Sequence, residues 1–218
     1  MGIDITERKN AEKKIQALLN EKEILLKEVH HRIKNNMSVI LSLFKLQSKR
    51  LKEPAAITAL QDAESRVHSM LLLYDKLYHS PNFKDISILA YLTRLVDEIV
   101  AIFPNSESVR IEKRIDDFLI SAGNLFSLAI ITNELLTNAM KYAFPDKDNG
   151  MIQISAVKKE GHMTFVIQDN GVGLPETINI DSAAGFGLQL VAMLTKQLNG
   201  SLRIEREKGT RFTLEFTE

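Results

Sequence analysis

Between Glu7 and Arg50 the chain has neither proline nor glycine, and Glu, Lys and Leu dominate the stretch. Such a run favours one long helix, with any break or fraying confined to its start. Pro54 then stands where a first-turn proline opens a second helix. Along that helix Ile57, Leu60, Val67, Leu71, Tyr74 and Tyr78 recur near three-four spacing until the break at "HSPNF". Two helices of this length make a hairpin whose apolar faces are too wide for it to cover alone. Packing two hairpins as a four-helix bundle covers them, so a homodimer is expected.

From residue 85 the pattern changes to alternating helices and strands. Helices are expected at about 86 to 102 and 122 to 142, with the strand "VRIEKRI" between them. Two strands follow, "MIQISAVKK" and "HMTFVIQD", joined around Gly161. A last helix from about Leu188 to Leu198 is stopped by Asn199 and Gly200, ahead of the hairpin "SLRIEREKGTRFTLEFT". This half reads as an α/β sandwich with helices on one sheet face, and the whole chain as α+β.

Composition excludes several classes of function. Twenty-eight basic residues balance 28 acidic ones, so no overall positive field exists to hold nucleic acid or an anionic membrane. With no cysteine there is no disulfide, thiol nucleophile or thiolate zinc site, which agrees with a reducing compartment and a cytoplasmic setting. No apolar run approaches the roughly 18 residues that span a bilayer, and no signal peptide opens the chain.

The segment "KEVHHRIKNNMSVI" holds two adjacent histidines. Ile33, Met37, Ile40, Phe44 and Leu51 define an apolar stripe on this helix. Relative to Ile33, His30 falls about 60° away, at the edge of the stripe, and His31 about 160° away, nearly opposite. His31 thus projects into solvent, with Glu28 and Asn35 as helical neighbours. A surface histidine with no task has the same appearance.

A second polar set lies in "NELLTNAMKYAF", where Glu134, Asn138 and Lys141 are spaced i, i+4, i+7 on one helical face. An amide oxygen can ligate Mg²⁺, an ammonium neutralises phosphate, and a carboxylate takes or orients a proton. An ordinary solvated face would also be polar. In "DNGVGLP", Gly171 and Gly173 permit positive φ and close backbone approach, and Asp169 can accept from a base amino group. In "GFGLQLV", Gly185 and Gly187 open a helix whose free N–H groups and dipole suit a phosphate. The small, polar "ETINIDSAA" between these sets reads as a lid.

Taken in this order, the sets resemble a sensor histidine kinase. The second half resembles the ATP-binding fold shared by histidine kinases, type II topoisomerases, heat-shock chaperones of the ninety-kilodalton class and mismatch-repair ATPases. "ELLTNAMKYAF" is similar to the family's N box, "DNGVGLP" and "GFGL" to its glycine boxes, and "KGTRFTLEF" to its terminal glycine-threonine strand. "EVHHRIKNNMSVI" resembles the phosphoacceptor box of the second dimerisation-domain type, related to HWE kinases, in which the histidine before Arg is phosphorylated.

The resemblance implies three parts: a linker helix over 1–20, a dimerisation and phosphoacceptor hairpin over 21–80, and a catalytic ATP-binding domain over 81–218. It implies that His31 attacks the γ-phosphoryl group of Mg-ATP, that Glu134 is the catalytic carboxylate, and that Asn138 holds Mg²⁺. The nucleotide would meet Asn138, Lys141, Tyr142, Asp169, Gly171, Gly173, Gly185, Gly187, Leu188 and Thr210. A response regulator aspartate would then receive the phosphoryl group.

Several features depart from the common kinase. Arg32 follows His31 where an acidic residue is usual, and Glu28, one turn earlier, is the substitute candidate. The WxE element of HWE kinases and a phenylalanine-rich box are missing, and Gly187 is followed by Leu-Gln-Leu. "DITERKNAEKKI" resembles the exit of a PAS sensor, so the chain reads as the transmitter half of a longer kinase, though a charged coiled-coil leader would look alike. Val29, Ile33 and Met37 make two steps of four, a stutter where input twist could relax near His31. Two other classes share these motifs: an ATPase that uses nucleotide as a switch, and a phosphotransfer or interaction module that has lost activity.

Overall fold

The computed structural model describes residues 5–79, 86–145, 149–176 and 185–217. The hairpin is built from α1, Ile5–Ser48, and α2, Pro54–His79. Ile33, Met37, Leu41 and Phe44 of α1 are half-buried, so the α2-facing stripe contains Leu41 where the spacing predicts Ile40, and Leu51, expected on the same stripe, is half-buried in the loop after α1. Ile40 is 40% exposed and belongs to a second apolar face with Val29, Val39, Leu43 and Leu46, each about half exposed or more. A helix with two apolar stripes can offer only one to its hairpin partner, which is why a single stripe was too simple a reading.

The second half begins with β1, Ile86–Ser87, and α3, Ile88–Val100, whose N-terminus is capped by the Ser87 hydroxyl accepting from Ala90 N. Then come β2, Val109–Ile115; β3, Leu119–Ile120; and α4, Ala122–Asn138. A π-helical turn, Ala139–Ala143, continues α4. The remaining elements are β4, Gly150–Lys159; β5, His162–Asp169; α5, Phe186–Gln197; β6, Ser201–Glu205; and β7, Arg211–Thr217. Five strands form one sheet in the order β2-β4-β5-β7-β6, parallel only between β2 and β4. Ile86 and Ser87 pair with Ile120 and Leu119 in a separate two-stranded ribbon.

Alternate residues of β4, from Ile152 through Ala156, point into a core shared with α3, α4 and α5. From Ser127 to Thr137 every residue of α4 is buried, polar ones included. A helix buried all round needs neighbours on every side. It has them in α3, α5, the sheet and α2. The face carrying Glu134 is therefore not a solvated face, because α2 covers it. Among the described residues no helix is long and apolar enough to cross a membrane.

Candidate functional site

A cavity of about 790 Å³ opens between α2, the end of α4, the loop after β5 and the start of α5. That volume suits a nucleotide-sized ligand. At its base sits Asp169, 5% exposed, at the end of β5. Its Oδ1 accepts from Gly171 N at 2.8 Å and from Thr210 N at 3.2 Å, while its own N–H donates to Thr210 O at 2.9 Å. Two backbone donors on one oxygen fix the carboxylate of a residue that lines the cavity.

Glycine is required where this loop passes other backbone. A Cβ on Gly171 would stand 2.2 Å from Ala143 O, and one on Gly209, at φ +107°, 2.1 Å from Asp169 O. Gly173 has φ +82°. Among the described residues nothing lies within 4 Å of a Cβ on Gly185, and its φ is ordinary, so its backbone does not demand glycine. Asn170 anchors the loop: its Oδ1 accepts from Met151 N at 2.8 Å, and its N–H donates to Met151 O at 3.1 Å.

The π turn shapes the opposite side. It ends the helix, and the last carbonyls of a helix have no partner within it. Met140 O accepts from Asn105 Nδ2 at 3.0 Å and Ala143 O from Val172 N at 2.9 Å, so the turn is tied to the glycine loop. Asn138 lines the cavity beside Ala139, Tyr142 and Ala143. At the third wall Gly185 stands at the N-cap position of α5, with no side-chain cap. Leu188 N donates back to Gly185 O at 3.0 Å, while Phe186 and Gly187 line the cavity.

The fourth wall comes from α2, through Ala59, Asp62, Ala63 and Arg66. Arg66 Nε donates to Glu134 Oε1 at 2.6 Å and a terminal guanidinium nitrogen donates to Oε2 at 2.8 Å, a bidentate pair with both side chains largely covered. Hydrogen bonding to Glu134 holds the Arg66 guanidinium above its ordinary pKa, against the opposing effect of burial. The Phe186 ring lies 5.0 Å from the guanidinium carbon. A Cβ on Gly187 would meet Glu134 Oε2 at 2.4 Å. Beside this pair, Lys141 bonds Asp62, and Ser65 Oγ donates to Asn133 Oδ1 at 3.3 Å.

Of the residues singled out in the sequence, Asn138, Tyr142, Asp169, Gly173, Gly185, Gly187, Leu188 and Thr210 line one cavity. Gly171 lies behind it against Ala143, while Glu134 and Lys141 are engaged by α2. His31 is exposed on α1 and does not line the cavity. Glu28 accepts from Arg32 Nε at 2.7 Å. The side chains of His30, Tyr74 and Tyr78 lie outside the described residues, as does the predicted lid apart from Glu176.

Sequence reasoning passed over Asp62, Arg66, Phe186 and Gly209. Asp62 and Arg66 are spaced i, i+4 with opposite charge, which reads as a pair within α2 and gives no sign of partners 68 and 79 residues away. Gly209 carries a usable signal, its place in the tight turn of the final hairpin, but nothing in the sequence ties that turn to Asp169.

Comparison with known proteins places this geometry in a family. Residues 28–103 match the family described as "Histidine kinase", and residues 123–218 that of "Histidine kinase-, DNA gyrase B-, and HSP90-like ATPase". The chain belongs to the sensor histidine kinase family. It is 31% identical over 219 residues to sensor histidine kinase PdtaS of Mycobacterium tuberculosis H37Rv, a match covering 97% of this chain and 42% of that protein. It is 27% identical to blue-light-activated histidine kinase 2 of Erythrobacter litoralis, over 83% of this chain and 53% of that one. The chain thus spans about half the length of these relatives or less. Among solved structures, the histidine kinase domain of an Erythrobacter litoralis blue-light-activated kinase aligns with a TM-score of 0.66 at 24% identity, over 91% of this chain and 93% of that one, which bears on the fold alone.

Proposed function

We propose that this chain is a kinase core that binds Mg-ATP in the cavity, transfers the γ-phosphoryl group to His31, and passes it to an aspartate of a response regulator. The observation that carries this reading is the convergence of Asp169, Asn138 and the α5 N-terminus, from three separate segments, on one nucleotide-sized cavity. The Asp169 Oδ2 would accept from the exocyclic amino group of adenine. The first N–H groups of α5 would face the phosphates.

Asn138 fits a role in holding Mg²⁺. Among the described residues no cluster of three or more histidines and carboxylates could hold a metal unaided, and an amide oxygen suits an ion that takes its other ligands from phosphate and water. When bound, Mg²⁺ would neutralise phosphate charge. A nitrogen of the His31 imidazole forms the new P–N bond as the bond from the γ-phosphorus to the ADP oxygen breaks, and the ring proton leaves to Glu134 or to solvent. The three-part division at residues 20 and 80 belongs to the same proposal. So does the homodimer, supported by the uncovered face of Val29, Val39, Ile40, Leu43 and Leu46.

Incubation with γ-labelled ATP and Mg²⁺ tests the reading. Wild type should acquire label that is lost in acid and kept in base, as a P–N bond requires. His31→Gln should abolish it while changing stability by less than about 0.5 kcal/mol, because the position is exposed. His30→Gln should retain most of it. Phosphate located on His30, or comparable labelling of His31→Gln, would overturn the assignment.

A further inference from the structure

Three side chains of α2 meet the polar face of α4 in antiparallel register. Asp62 bonds Lys141, Ser65 bonds Asn133, and Arg66 holds both oxygens of Glu134. The charges alternate in opposite senses on the two helices, so each acidic group meets a basic one. A buried pair of this kind stabilises a fold no better than packed apolar groups of the same volume. Unlike apolar packing, it occupies the very groups that the proposed reaction needs.

We propose that α2 is an autoinhibitory clasp: Arg66 sequesters the Glu134 carboxylate and Asp62 sequesters Lys141, and the clasp must open before Glu134 can serve His31. This rests on the assignment of Glu134 as the catalytic carboxylate. A carboxylate with one guanidinium on both its oxygens, and with Asn133 Nδ2 donating to Oε1 as well at 3.3 Å, is a poor proton acceptor. His31, on the neighbouring helix, is not in the cavity where the nucleotide would sit. Two further contacts close the clasp from the α5 side. The Phe186 ring covers the guanidinium, and Gly187 leaves room for Glu134 Oε2 where a methyl group would collide with it. Arg66 is thus held by α2, α4 and α5 together.

The test uses the full chain, whose lack of cysteine allows spin labels at two introduced cysteines alone. Gln61 on α2 and Glu207 in the β6–β7 turn are exposed and outside the clasp. Labels there should give one narrow distance in the parent protein and a second, longer population on Arg66→Gln. Autophosphorylation at saturating ATP and Mg²⁺ should rise about tenfold or more, the effect of losing one charge-assisted interaction. Asp62→Asn, at the more exposed pair, should act in the same direction and less strongly, and guards against a folding failure of the first variant. An unchanged distance distribution in both variants overturns the clasp. So does a longer distance with a fall in labelling, which would make Arg66 a participant in transfer. A longer distance with no label on any variant or on the parent overturns autoinhibition together with the kinase reading beneath it, and leaves only a contact of α2 that Arg66 holds.

Discussion

The two ends of the cavity are built by different means. At one end Asp169 is fixed by backbone donors from Gly171 and Thr210, and glycines at 171 and 209 let three backbone segments approach to distances no side chain tolerates. At the other end α2 closes the cavity through the side chains of Asp62 and Arg66, which bond Lys141 and Glu134. Backbone construction cannot be undone without unfolding the loop. Ion pairs between helices can be exchanged for water or another charge. The contrast separates a preformed half of the site from a removable half.

The largest effect expected of an attack on the fixed end is that of Gly209→Ala. A Cβ there collides with Asp169 O, at a φ of +107° that alanine disfavours. Strain and overpacking together should cost about 2–5 kcal/mol, read as a fall in the denaturation midpoint with loss of nucleotide binding. A variant of parental stability would mean that the close approach relaxes cheaply and that the two ends are alike.

Next comes a pair that sharpens the division. Asp169→Ala removes the proposed base acceptor and should weaken ATP binding about tenfold or more in a titration. Glu134→Gln should bind ATP within a few-fold of the parent while transferring poorly. The opposite ranking would exchange the two roles. The smallest effect belongs to Gly185→Ala. Among the described residues nothing lies within 4 Å of its Cβ position, and its φ is ordinary, so stability should change by less than about 0.5 kcal/mol and ATP affinity by less than about twofold.

The backbone-built end was the legible one. Alternation in "HMTFVIQD" set the limits of β5 to the residue, and the glycines after it marked the loop. The pairs β1 and β3 were missed because two residues carry no period, and the π turn because its sequence continues the pattern of α4 without a breaker. In α1 the stripe was assigned through Ile40 and runs through Leu41, since the helix is apolar on two faces and spacing alone does not say which face the hairpin uses. The clasp was illegible for a different reason. Asp62 and Arg66 satisfy the rule for a solvent-exposed helical pair, and only the packing of α2 on α4 redirects them to Lys141 and Glu134.

Phe186 and Gly187 carry a thermodynamic consequence. They open α5 at the cavity wall, and they also seat against Arg66 and Glu134. A ligand that shifts this short segment on entering therefore alters the packing about the guanidinium. Linkage makes the effect mutual: if occupancy of the cavity loosens α2 by some factor, withdrawal of α2 must tighten occupancy by the same factor. Nucleotide affinity is then a meter of the position of α2, readable without any phosphoryl group being transferred.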